Sequence, residues 1–149
     1  KRYGRNRIHK RTKLFSLFKT LNMPVVKIEL AKGKSKEFKR IFMDAVHESM
    51  VETLKIPAND KNIRLMDYDA DCFDTKPPYQ YFIEIIMFSG RTKETKSKLF
   101  RSLVDKLHDK LNIDPQSVFI VINEQPTENW GIRGGISASD VQLDFTVTL

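Results

Sequence analysis

Met23-Pro24 has the form of an initiation site, because methionine is readily removed before a small residue such as proline. A proline left at a chain start carries a secondary amine, which is ordinarily too basic to accept protons at neutral pH. Burial near apolar residues and cationic neighbours disfavours the ammonium form and lowers its pKa. The neutral amine can then take a proton from a carbon beside a carbonyl and return it elsewhere, which is keto–enol tautomerisation. With Met23 still attached, the same nitrogen is a tertiary amide with no basicity. Arg91 stands before a helical pattern. An ordinary solvated helix-start residue fits that position.

Other constellations carry less. Asp67, Asp69, Asp71 and Asp74 alternate like the start of a calcium loop, but Cys72 stands where the turn glycine belongs and Pro78 replaces the closing glutamate. The stretch reads as a solvated acidic loop. Gly134-Gly135 lacks the following Lys-Ser/Thr of a phosphate cradle. Cys72 is the single cysteine, so no intrachain disulfide can form; it reads as a small, partly buried residue, and a reducing cytoplasm is the expected location.

The elements that must position these groups occur twice. Val25–Leu30 reads as a strand, and Gly33-Lys34-Ser35-Lys36-Glu37 as a turn with Ser35 as N-cap. A helix follows, with Phe38, Ile41, Phe42, Ala45 and Ser49 on one stripe, and it ends near Leu54-Lys55-Ile56-Pro57, where proline forbids continuation. Asn62–Met66 is a second strand. The same events recur 57 residues later: strand Tyr81–Met87, turn Gly90-Arg91-Thr92-Lys93-Glu94, a helix lined by Leu99, Phe100, Leu103, Val104, Leu107 and Leu111, and strand Val118–Ile122. The expected fold is α/β (α+β): tandem β-α-β repeats, about 24–68 and 80–123, forming a four-stranded mixed sheet with two helices on one face, plus a C-terminal segment. The other sheet face would be bare, and further copies of the chain are the simplest cover.

The 149 residues suffice for one domain, and no apolar run approaches the roughly 18 residues of a membrane span. The net charge of +7 is concentrated in a tail: residues 1–22 hold eight basic residues and no acid, leaving 18 basic against 19 acidic residues in 23–149. The second half of that tail, with Leu14, Phe15, Leu17, Phe18 and Leu21, can form a short amphipathic turn. Three readings fit the tail: a basic arm for nucleic acid or membrane, an Arg-rich targeting sequence, or an extension absent from the mature protein.

On these residues the chain resembles a fused-type member of the tautomerase superfamily, similar to malonate semialdehyde decarboxylase-like proteins. The resemblance spans residues 24–149 and rests on Met23-Pro24 before a strand, Asp44-Ala45-Val46-His47, Ile56-Pro57-Ala58-Asn59-Asp60, Ser89-Gly90-Arg91 and Glu128-Asn129-Trp130-Gly131-Ile132-Arg133-Gly134-Gly135, in that order. It implies a homotrimer of doubled subunits with one active site each, no cofactor, and Pro24 as the catalytic acid or base. Arg91 matches the arginine that binds a substrate carboxylate, and Asp60 the aspartate that orients or activates water; a turn or cap role also fits Asp60. A second arginine of the decarboxylase is replaced here by Ser89-Gly90, leaving the grip to Arg91 and Arg133. His47 matches a substrate-contacting histidine, yet its place opposite the apolar stripe suits a surface or subunit contact equally. Trp130 and Ile132 would wall the substrate, with core packing the competing role for the only tryptophan. Tyr79 and Tyr81 would approach from the start of the third strand.

Two functional readings follow. The first is a tautomerase-type enzyme acting on a small 2-oxo or enol carboxylate through Pro24, Asp60 and Arg91. The second is a non-catalytic binding protein with Pro24 internal, whose tail cations would hold nucleic acid or an anionic membrane in a salt-dependent way.

Overall fold

Alternation decides the strands. In β1 (Val25–Ala31), Val26, Ile28 and Leu30 are buried while the residues between them are half-buried. This period of two sends one side of the strand into a core. The computed structural model describes residues 24–141. The basic tail with its Leu14–Leu21 stretch, and Met23, lie outside the described residues, as does the C-terminal stretch 142–149.

Four strands and two long helices follow the expected order: β1, α1 (Lys36–Leu54), β2 (Ile63–Tyr68), β3 (Tyr81–Phe88), α2 (Lys93–Leu111) and β4 (Val118–Gln125). The sheet runs β2-β1-β3-β4, with β1–β2 and β3–β4 parallel and the central β1–β3 pair antiparallel. Each βαβ half therefore pairs in parallel within itself, and the halves join head to tail. A small hairpin, β5 (Gly131–Ile132) with β6 (Ile136–Ser137), follows. Arg133, Gly134 and Gly135 all have positive φ in its loop, which accounts for the paired glycines as turn formers.

The helices start on matching caps. Ser35 Oγ accepts from the Phe38 amide at 3.0 Å, and Thr92 Oγ1 from the Thr95 amide at 3.1 Å. Each cap satisfies one of the orphan first-turn donors. Both helices end on a left-handed residue, Lys55 and Asn112. The stop is thus a left-handed cap shared by both repeats; Pro57 lies beyond it, and the second repeat ends in the same way without proline at the corresponding place.

The helices pack together on one sheet face, clipped by Lys106–Glu52 at 2.8 Å and Lys110–Glu48 at 2.5 Å. Beneath them Phe42, Met50 and Leu54 of α1 and Leu99, Leu103 and Leu107 of α2 meet Ile28, Leu30, Ile83 and Ile85. Burial of each such side chain contributes about 1.5–3 kcal/mol. Phe100, expected on the α2 stripe, is at the solvent edge with 36% exposed. On the opposite sheet face Met66, Phe119 and Val121 are exposed, beside a chain of rings from Tyr68 through Phe73, Phe82 and Phe119 to Tyr79.

The acidic stretch also differs from expectation. Strand β2 runs on through Asp67 and Tyr68, and Asp67 and Asp69 pair with Lys39 and Lys32. Among the described residues no group of acids, histidines or cysteine is arranged to hold a metal ion. Cys72 is exposed rather than partly buried, because it sits on a one-turn 3-10 segment outside the sheet. No helix among the described residues is long and apolar enough to cross a membrane.

Candidate active site

The antiparallel central pair determines which residues meet. Val25 lies opposite Ile86, so Pro24 is level with the end of β3, from which Ser89, Gly90 and Arg91 follow directly. The Val26 amide donates to the Asn62 carbonyl at 2.9 Å, which brings the start of β2 to the same end, with Asp60 two residues earlier. Parallel pairing of β4 with β3 adds Glu124 and Gln125 opposite Met87 and Phe88. Four separate segments thus converge on one end of the sheet.

Pro24 is buried, and Arg91 is only 9% exposed. Arg91 immediately precedes Thr92, the cap of α2, so its guanidinium belongs to the positive end of that helix. Burial lowers the Arg91 pKa, and the Glu124 carboxylate opposes that shift. Glu124 is itself held by Lys96 at 2.9 Å through Oε2, while its buried Oε1 has no hydrogen-bond partner. The sequence reading did not single out Glu124. The internal repeat held the signal: Lys39–Asp67 in the first half is the same pair 57 residues earlier.

Asp60 closes the turn after α1, its amide donating to the Pro57 carbonyl at 3.0 Å. Its Oδ2 is buried and without a hydrogen-bond partner. Burial raises the Asp60 pKa, and the charge of His47 works against that rise. His47 is half-buried on α1, its Nε2 donating to the Ala58 carbonyl at 2.8 Å. Trp130 packs edge-on against Phe88, ring centroids 4.9 Å apart, and its buried indole N–H has no hydrogen-bond partner. Ile132 is half-buried next to it in the hairpin and Arg133 is exposed. Buried polar atoms are normally satisfied. The orphaned oxygens of Asp60 and Glu124 and the indole N–H belong to the segments converging at this end, where a polar ligand would complete them.

Tyr79 and Tyr81 are elsewhere. Tyr81 pairs with Leu30 at the far end of β1, roughly 20 Å of strand away from Pro24. The expected approach from the start of the third strand fails within one chain because β3 runs antiparallel to β1. Tyr81 instead occupies the repeat position of Pro24, and Lys34 that of Arg91. The Lys34 ammonium lies 5.1 Å from the Phe38 ring centroid and 5.9 Å from that of Tyr81, a cation–π stack that fills the second end.

The comparisons with known proteins cover both halves. Family models described as tautomerase enzyme match residues 24–68 and 74–133, one per half, the first beginning on Pro24. The chain is a fused member of the tautomerase superfamily. Among curated relatives, the probable tautomerase YusQ of Bacillus subtilis (strain 168) is 27% identical over 121 residues, covering 76% of this chain and 95% of the relative. Among solved structures, FG41 malonate semialdehyde decarboxylase inhibited by 3-bromopropiolate is 29% identical with a TM-score of 0.67, covering 80% of this chain and 99% of that one. Native fused 4-OT, at 22% identity and a TM-score of 0.72, covers 79% and 98% and shares the fold. This tautomerase superfamily enzyme keeps both βαβ halves of the fused arrangement, with its end-of-sheet polar cluster at Pro24.

Proposed function

We propose that the protein is a cofactor-independent tautomerase or related decarboxylase or hydratase, acting on a small 2-oxo or enol carboxylate with Pro24 as its first residue. The observation that carries this reading is the convergence of buried Pro24 and buried Arg91 at one sheet end, on a chain whose family match begins at Pro24. In the tautomerase reaction the free Pro24 nitrogen takes a proton from the carbon next to the substrate carbonyl, and the C–H electron pair forms the new C=C bond as the carbonyl pair moves onto oxygen, giving the enolate. Return of that proton to a different atom completes the isomerisation. Arg91, backed by the positive end of α2, grips the carboxylate in a two-point contact, with Arg133 as a second cation. Asp60 handles the second proton, or a water where the reaction is hydration. Trp130 and Ile132 wall the substrate away from solvent.

The exposed sheet face supports a homotrimer, the assembly named for the wild-type fused 4-OT structures. A cytoplasmic location fits a chain with one, exposed cysteine.

The test is ketonisation of a phenylenolpyruvate-type enol by protein beginning at Pro24, by the same protein with Met23 retained, and by Pro24→Ala. Loss of about 100-fold or more in the last two is expected. Equal turnover by all three would remove Pro24 from the chemistry.

A further inference from the structure

His47 is tied to the turn that carries Asp60. The His47 Nε2–H donates to the carbonyl of Ala58, which lies inside the turn closed by Asp60 N–H to Pro57 C=O. A carbonyl can only accept, so Nε2 carries the proton and Nδ1 is the ring nitrogen left over. That Nδ1 is buried without a hydrogen-bond partner, and so is Oδ2 of Asp60. Two proton-carrying groups on neighbouring elements are thus each left with one buried atom unsatisfied, while the histidine's other nitrogen ties the two elements together.

We infer that His47 is a positioning residue that works through Asp60, holding from the neighbouring helix the turn that carries this carboxylate. The inference rests on the reading of Asp60 as the group that handles the second proton or water. The surrounding charges leave this role to His47. Lys61, next to Asp60, is engaged with Asp44 at 2.5 Å, and Arg40 lies 3.3 Å from the same carboxylate. Glu48, beside His47, is engaged with Lys110 of α2 at 2.5 Å. Arg91 and Glu124 face the site from the β3–β4 side. Lys96 is engaged with Glu124, Arg133 stands in the hairpin loop, and the Pro24 amine, once free, adds a further titratable group at this end. A cationic ring at this place favours ionised Asp60. The electrostatic coupling of the two side chains has that sign.

The test compares wild type with His47→Gln and His47→Asn, each beginning at Pro24. The Gln carboxamide can still donate to the Ala58 carbonyl but carries no charge. The Asp60 carboxyl carbon is followed by NMR titration alongside the pH profile of kcat and KM for the enol substrate. Expected in His47→Gln are an upward displacement of the Asp60 midpoint, an acid limb of kcat that moves with it, and a roughly 10-fold loss of kcat with KM within about 2-fold. His47→Asn, with a shorter reach to the carbonyl, should show the same displaced midpoint with a larger loss of kcat. An Asp60 midpoint identical in wild type and both variants would overturn the inference. So would a KM raised about 10-fold with the Asp60 midpoint unmoved, the signature of direct substrate contact. The NMR arm needs no turnover, so it separates failure here from failure of the catalytic reading, which Pro24→Ala decides.

Discussion

Lys55 and Asn112, 57 positions apart, adopt nearly the same left-handed conformation, φ 56° and 53°, at equivalent helix ends. Asparagine tolerates that region better than lysine, so the first repeat carries strain that the second reduces. Lys55→Gly is therefore expected to stabilise the protein by about 0.5–1 kcal/mol, read as a higher midpoint in urea unfolding with unchanged slope. Asn112→Ala should cost about 1 kcal/mol in the same assay. A destabilised Lys55→Gly would mean that the lysine side chain contributes more there than its backbone strain costs.

Burial raises the pKa of Asp60 from the ordinary aspartate value of 3.8. The native state then holds its proton to higher pH than the unfolded chain, so stability from this group falls as pH rises through the interval between the two values. Ionised Asp60 is destabilising at neutral pH. Asp60→Asn should raise Tm at pH 7, and the difference from wild type should vanish as pH falls below about 3, under the unfolded aspartate pKa, where both states of the wild-type residue are protonated. Comparing the two proteins cancels Asp44, Asp67 and Glu84, whose pKa values are lowered by lysine partners and whose stabilisation is lost as pH falls. Turnover of Asp60→Asn should fall although its stability rises.

Arg91 tests the carboxylate grip. Arg91→Lys keeps a cation but loses the planar fork, so KM should rise about 10-fold with a smaller change in kcat. Arg91→Ala also leaves the half-buried Glu124 with less cationic charge nearby, and its Tm should drop. Steady-state kinetics with a carboxylate substrate and with its ester separate the two effects, because the ester should be insensitive to Arg91→Lys.

The uncovered sheet face predicts assembly. Phe119 is 40% exposed between Tyr79 and Phe82. Phe119→Lys should leave helical content by circular dichroism unchanged and shift sedimentation from trimer to monomer. A monomeric wild type would remove the homotrimer proposal.

The tandem βαβ order, the caps at Ser35 and Thr92, and the buried stripes of α1 and α2 were legible in the sequence because they are local. A period of 3.6 or 2 and a cap three residues from its amide are encoded within a few neighbouring positions. The resemblance carried by the sequence likewise marked Pro24, Asp60 and Arg91 for carboxylate and proton chemistry and Trp130 as an apolar wall. Tertiary structure alone decided how they are grouped. Antiparallel pairing of β1 with β3 places Pro24 beside the strand end that leads to Arg91 and sends Tyr81 to the far end, and that pairing is a contact between residues 61 apart such as Val25 and Ile86. Glu124 and the His47–Ala58 contact emerged in the same way, since charge partners and turn anchors depend on which segments the sheet and helices bring within a few ångströms. The choice between two repeat-related ends was also tertiary: Phe38 and Tyr81 pack under Lys34 at one, while at the other Asp60, Glu124 and Trp130 are left with polar atoms for a ligand to satisfy.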